Sequence, residues 1–185
     1  MRSSLVAVFV SLSSLAAPAL AQPRSDQEAL SFIQAMQRGH RAASGGDWQG
    51  ATDAYNEAAS IRRQSGEPQL FLGYASRARG QLGPALDRFR EAARLAGLAG
   101  QEEDAVRAKA LFGVAMVLEA QAQLPQARTA WQEYISFAES HSSLPTYVAS
   151  GRSRVEKIDR VDELNQAYVQ VRERIAARER ENRGR

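Results

Sequence analysis

The chain has no cysteine and only two histidines among its 185 residues. Without cysteine it can form no disulfide, no thiolate metal site and no acylated lipoprotein anchor, so packing alone must hold the fold. His40 has no second potential ligand three or four residues away, and His141 lies in a serine-rich loop without an orienting group. No HExxH, GxSxG, P-loop or glycine-rich dinucleotide motif is present. We therefore predict no catalytic residue, no metal site and no cofactor.

Lysine is scarce as well, and this decides how the basic pI should be interpreted. Lys109 and Lys157 are the only lysines, so arginine supplies 22 of the 24 basic side chains, against 21 acidic ones. The formal net charge of +3 is nearly neutral, and no concentrated basic face of the kind that binds nucleic acid is evident. The sequence therefore argues against a nucleic-acid partner.

The N-terminus has the pattern of an export signal. Arg2 precedes an apolar stretch at 5–15 that contains serines, and residues 19–21 read Ala-Leu-Ala, a small-x-small cleavage site. A membrane helix needs roughly 20 predominantly apolar residues, whereas this stretch is broken by serines and closed by Pro18. We predict that residues 1–21 are a signal peptide cleaved after Ala21, that the mature protein is periplasmic or secreted, and that it has no stable membrane insertion after cleavage.

The rest of the chain is rich in helix formers, with few strand signals, and predicts an all-α fold. Small and aromatic residues recur at a fixed offset of 34 positions, and a weaker third copy follows at an offset of 42. The matched positions are Gly39, Gly46, Ala51, Tyr55 and Ala58, then Gly73, Gly80, Ala85, Phe89 and Ala92, then Ala115, Ala122, Ala127, Trp131 and Tyr134.

This pattern resembles the tetratricopeptide repeat (TPR), whose period is 34 residues. The resemblance implies a TPR domain over 22–144, with helix-turn-helix repeats at about 32–65, 66–99 and 108–141 stacked as a solenoid. It also implies a non-catalytic scaffold that holds a protein partner, as an extended peptide or an amphipathic helix, in a concave groove. The family's groove-facing positions correspond here to Ile33, Met36, His40, Leu70, Tyr74, Arg77, Phe112, Met116 and Glu119.

The same resemblance argues against one class of ligand. Family members that bind the acidic C-terminal tails of chaperones carry lysine and asparagine in the groove, and none of these nine positions has either residue.

Local signals predict where the helices begin and end. The first repeat should comprise helices at about 27–44 and 49–64, and Gly83-Pro84 should start the second helix of the next repeat. The eight extra residues before the third copy are expected to form a longer connection at about 96–103. The acidic run at 101–104 should then cap the helix that follows it.

Residues 145–185 form a different kind of segment, predicted as one long helix from Thr146 with a charged tail. Its first part should cap the third repeat through Tyr147, Val148, Val155 and Ile158. Its second part carries a short heptad seam, which is consistent either with a solvated helix or with a coiled coil that makes the protein a homo-oligomer. The alternative function is therefore a structural assembly subunit that self-associates through Val161, Leu164, Tyr168, Val171 and Ile175.

Overall fold

The computed structural model describes residues 26–184, so the predicted signal peptide lies outside the described residues. Within that range the chain forms seven α-helices and no β-strand. The helices are α1 (Asp26–Ser44), α2 (Trp48–Ile61), α3 (Glu67–Ala78), α4 (Leu82–Ala99), α5 (Asp104–Ala120), α6 (Leu124–Ser140) and α7 (Val148–Arg183), with a short 3₁₀ helix at Gly100–Glu103 between α4 and α5.

The helices pack in chain order, each against the next, so that α1–α2, α3–α4 and α5–α6 form three antiparallel helix-turn-helix pairs. Leading helices α3 and α5 also contact each other, and α7 packs against α6. This confirms the predicted fold class: an all-α solenoid of three helix-turn-helix repeats closed by a long C-terminal helix.

The recurring glycines are explained by close contacts between the two helices of a pair. A Cβ built on Gly73 of α3 would lie 2.6 Å from the ring of Phe89 on α4, and one on Gly39 of α1 would lie 2.3 Å from the Tyr55 ring on α2. Both distances are shorter than van der Waals contact, so only glycine lets the ring pack against the leading helix. The spacing between Gly39 and Tyr55, which recurs between Gly73 and Phe89, is therefore a packing requirement.

The turns within the three pairs share one backbone conformation, although the third lacks glycine. Gly46 and Gly80 have φ of 79° and 74°, in the left-handed region that glycine enters without cost. Ala122 occupies the same place in the turn between α5 and α6 with φ of 57°. A residue with a Cβ is disfavoured there by roughly 1–2 kcal/mol. The third repeat therefore keeps the turn despite losing its glycine.

We expect Ala122→Gly to raise the free energy of unfolding by about 1 kcal/mol, because it removes this left-handed penalty. Gly80→Ala is the matched reverse change, since no atom lies within 4 Å of a Cβ built there and the effect is therefore conformational. It should destabilise by about the same amount. Urea unfolding of both variants measures the changes, and equal stability of the Ala122→Gly variant and the parent would contradict the expectation.

The insertion before the third copy differs from the prediction in its form. Helix α4 continues through the first half of the predicted connection, to Ala99, because Leu95 and Ala96 are buried in the core and favour continuing the helix. The 3₁₀ helix forms the second half and joins α4 to α5. The predicted connection at 96–103 is thus helical throughout.

The acidic run caps a helix, but a different one from that predicted. Glu103 accepts hydrogen bonds from the Ser65 hydroxyl at 2.6 Å and from the Gly66 backbone N–H at 2.7 Å. These groups precede α3, so the carboxylate satisfies a free donor at the N-terminus of the preceding repeat and complements that helix dipole. Asp104 alone stands in the first turn of α5.

Replacing Glu103 with alanine should destabilise the fold by about 1–2 kcal/mol, the usual effect of losing an N-terminal cap. Glu102→Ala is the control, because Glu102 is exposed next to it in the 3₁₀ helix and should change stability by less than about 0.5 kcal/mol. Chemical denaturation of the two variants tests this, and equal losses would show that Glu103 has no special role.

Helix α7 is attached to the body along about its first third only. Ile158 is buried, and Val148 and Val155 pack against the same core, as predicted for a capping helix. Gly151 allows this approach, since a Cβ there would lie 3.0 Å from Ile135. A hydrogen-bonded ion pair from Arg128 to Asp159 at 2.6 Å holds the pKa of that carboxyl below its ordinary value.

From residue 160 to the end of α7 every described residue is exposed. At 1.5 Å per residue, this part of the helix extends about 35 Å beyond its last buried turn.

Candidate functional site

The leading helices and the start of α7 present a row of partly exposed rings, which we call the aromatic row: His40, Phe71, Tyr74, Phe112 and Tyr147. The ring centroids of His40 and Phe71 are 4.4 Å apart, and those of Phe71 and Tyr74 are 6.0 Å apart. Phe112 and Tyr147 lie 6.5 Å apart at the other end. All five residues come from α1, α3, α5 or the N-cap of α7.

Two adjoining cavities open along the aromatic row. The first has a volume of about 250 Å³ and is lined by His40, Phe71 and Tyr74 among others. The second has a volume of about 370 Å³ and is lined by Tyr74, Phe112 and Tyr147 among others. Tyr74 lines both cavities, so they form one continuous surface that crosses all three repeats.

The rings at the first cavity are held in place by a buried side chain of α2. Tyr55 is buried and stacks on Phe71 with 5.4 Å between ring centroids. Its hydroxyl shares a hydrogen bond of 2.9 Å with His40 Nδ1. Burial raises the pKa of Tyr55, so the hydroxyl stays protonated at neutral pH. The row is therefore positioned before any partner binds.

Tyr74 is the polar member at the centre. Its ring packs edge-on against Phe89 at 5.2 Å. Burial raises the pKa of Tyr74, and the nearby positive charge of Arg77 opposes that rise. The hydroxyl is therefore protonated at neutral pH and can donate a hydrogen bond to a partner.

Three of the nine predicted groove residues belong to the aromatic row, namely His40, Tyr74 and Phe112. Met36 and Leu70 instead lie in the core, at 5% and 1% exposure, and so form no part of a surface. Met36 on α1 and Leu70 on α3 lie on the sides of these helices that pack into the core. The prediction that they line the groove is corrected accordingly.

The other four predicted residues lie elsewhere. Ile33 and Arg77 are exposed but line neither cavity. Met116 packs against the larger core cluster. Glu119 accepts a hydrogen bond from Trp131 Nε1 at 3.1 Å and pairs with Arg154 of α7 at 2.8 Å. It therefore links the third repeat to the capping helix.

The sequence prediction missed Phe71 and Lys109 and assigned Tyr147 a different role. Phe71 and Lys109 each stand three residues before a predicted ring, Tyr74 and Phe112, so helical spacing placed them on the correct face. Tyr147 was expected to cover the third repeat, yet it is 69% exposed on the cavity wall. Its contribution depends on the path of the loop before α7.

The predicted seam of α7 is exposed along its whole length. The exposed fractions are 41% for Val161, 65% for Leu164, 66% for Tyr168, 49% for Val171 and 54% for Ile175.

Within residues 26–184, no group of three or more His, Asp or Glu side chains is placed to hold a metal ion. No helix in this described part of the chain is long and apolar enough to cross a membrane.

Comparison with known proteins gives a structural neighbour but no sequence relative. No family model matches the chain, and no curated protein matches it in sequence. Among solved structures, the chain is similar to the crystal structure of MamA protein at 16% identity, over 73% of this chain and 90% of that chain, with a TM-score of 0.34. A similarity at this level identifies no function.

Proposed function

We propose that the chain is an exported TPR-type scaffold, without catalytic activity, that binds a peptide or helix from another protein along the aromatic row. The observation that carries this proposal is the pair of adjoining cavities that share Tyr74 as a wall. Partly exposed rings over preformed concavities are the features that recur where proteins capture peptide side chains. Export rests on the signal peptide predicted at 1–21, with cleavage after Ala21 and a periplasmic or secreted mature protein.

The geometry favours a partner with several apolar anchors. A peptide lying along the row crosses the first cavity, then Tyr74, then the second cavity, so it can place one side chain in each cavity. The protonated hydroxyl of Tyr74, between them, can bind a backbone carbonyl of the peptide. Helices and extended segments both supply such anchors. The spacing of the two cavities determines which anchor side chains of a partner can occupy both at once.

The test is selection of random 12-residue peptides displayed on phage against the mature chain, residues 22–185. Peptides that bind should lose about tenfold or more in affinity for Tyr147→Ala and for Tyr74→Ala, because each change removes a ring from the binding surface. Tyr168→Ala is the matched control: that tyrosine is 66% exposed, close to the 69% of Tyr147, but stands on the projecting part of α7. Its affinity for the selected peptides should be unchanged.

Failure to enrich any peptide, or enrichment of peptides that bind the Tyr147→Ala and Tyr74→Ala variants as tightly as the parent, would contradict the proposal. Circular dichroism of each variant verifies that its helix content matches that of the parent. Tyr147 is the safer position of the two, because its side chain is mostly exposed whereas Tyr74 also packs on Phe89.

A second candidate function is a structural assembly subunit that self-associates through α7. The observation that favours it is the seam, in which five large apolar side chains at alternating spacings of three and four are all exposed. A helix that stays solvated on all sides does not require an apolar stripe of this kind.

Truncation after Arg160 tests this second function, since the last buried residue of α7 is Ile158 and the cut leaves the capping contacts in place. If α7 pairs with another copy, light scattering should give a multiple of the monomer mass for residues 22–185 and the monomer mass for residues 22–160. The same number of chains per particle in both forms would exclude self-association through the seam.

A further inference from the structure

The second cavity has a composition that goes beyond a general peptide-binding surface. This inference rests on the function proposed above and specifies what the second cavity binds. The cavity lies between α5 and the loop that leads into α7, and it is open because Ala105 and Ala108 present only methyl groups on the α5 side. Larger residues at these two positions would fill it.

The aromatic walls of the cavity are fixed by contacts with the core. Phe112 packs edge-on against Trp131 at 5.0 Å and against Tyr134 at 5.2 Å. The buried Tyr134 hydroxyl accepts a hydrogen bond of 2.7 Å from the backbone N–H of Tyr147. This bond holds the start of α7 beside Phe112. The site is therefore formed in advance, which reduces the entropic cost of binding.

The size and shape of these walls favour one aromatic side chain. A cavity of about 370 Å³ is near the lower end of the range seen for ligand sites, enough for a single large side chain rather than a chain segment. The Phe112 and Tyr147 rings are tilted by 59° with centroids 6.5 Å apart. An aromatic guest can therefore pack edge-on or offset against them and gain more than an aliphatic guest of the same area.

The charge at the rim specifies a second feature of the ligand. Among residues 26–184, Lys109 is the only charged residue that lines the cavity, and no carboxylate of this part of the chain lines it. Lys109 forms no ion pair with any acid in the described residues, and the positions three and four residues away from it on α5 are Ala105, Val106, Phe112 and Gly113. A negative group at the rim would thus gain a partner, and a cation would be repelled.

We propose that this cavity anchors a tryptophan, tyrosine or phenylalanine side chain of a partner peptide, with an aspartate or glutamate next to that residue paired to Lys109. The ring packs against Phe112 and Tyr147, and the carboxylate stays at the water-exposed rim. The partner segment is therefore acidic and aromatic rather than basic or purely aliphatic.

Three acetylated and amidated peptides test the ligand chemistry by calorimetry with the mature chain: Gly-Asp-Trp-Asp-Gly, the version with asparagine for both aspartates, and the version with alanine for tryptophan. The first should bind, the asparagine version should bind about three- to tenfold more weakly, and the alanine version should not bind measurably.

Charge reversal at the two lysines tests the rim. Lys109→Glu should lower the affinity for the acidic peptide by about tenfold or more and change the affinity for the asparagine version by no more than about twofold. Lys157→Glu is the matched control, since it makes the same charge change at an exposed helical position that does not line the cavity, and it should leave the affinity for every peptide unchanged. Equal effects of the two reversals would overturn the assignment of Lys109.

Filling the cavity tests the anchor itself. Ala105 is exposed, so Ala105→Trp can place an indole in the cavity without disturbing the core, and it should abolish binding of all three peptides. Persisting binding to this variant would overturn the proposed site.

A small aromatic acid is the competing occupant, and N-acetyltryptophan and N-acetyltryptophanamide serve as its probes. Binding of N-acetyltryptophan together with no binding of the acidic peptide would overturn the peptide anchor in favour of a free aromatic acid. Phage-selected peptides that depend on Tyr147 but lack an aromatic residue beside an acid would overturn this inference while leaving the proposed function standing.

Discussion

The contacts between glycines of the leading helices and aromatic rings of the trailing helices set the dimensions of this structure. Phe89 shows the effect most clearly, because a Cβ on either Gly73 or Gly113 would lie within 3 Å of its ring. One side chain therefore fixes the approach of α3, α4 and α5. The distance between leading helices determines how far apart the rings of the aromatic row stand, and hence the size of the cavities between them. The proposed binding surface is a consequence of the packing beneath it.

The same contact explains how much could be predicted from the sequence. Glycine and aromatic residues at a fixed offset predicted the first two pairs correctly, because the close approach of the backbone admits only glycine there. The third pair has Ala115 at the matched position and was predicted from its small and aromatic residues. The sequence does not predict which face of α3 is buried. Leu70 and Phe71 are adjacent, both are apolar, and they lie about 100° apart around the helix. Leu70 is buried because of how α3 packs against its neighbours, which the sequence pattern does not reveal. The cap by Glu103 was also beyond sequence reasoning, since its partner Gly66 is 37 residues away and the acidic run fits its own helix equally well.

Charged side chains serve mainly to orient elements here. Arg154 with Glu119, Arg152 with Glu139 and Arg128 with Asp159 join α7 to the third repeat, yet all three arginines are well exposed, so each pair adds little to stability. Burial of Ile158 and the close approach at Gly151 supply the attraction, and the ion pairs select the angle at which α7 lies. A chain without cysteine thus combines nonspecific burial with directional surface contacts.

The continuity of α7 has a mechanical consequence. The helix has no break between Tyr147, which precedes its first residue at the wall of the second cavity, and the seam at its far end. Its first part, from Val148 to Asp159, is held against the body, and the rest of the helix projects from it. A force that tilts the projecting part is therefore transmitted along an unbroken helix to these contacts, and so to the Tyr147 ring at the start of the same helix.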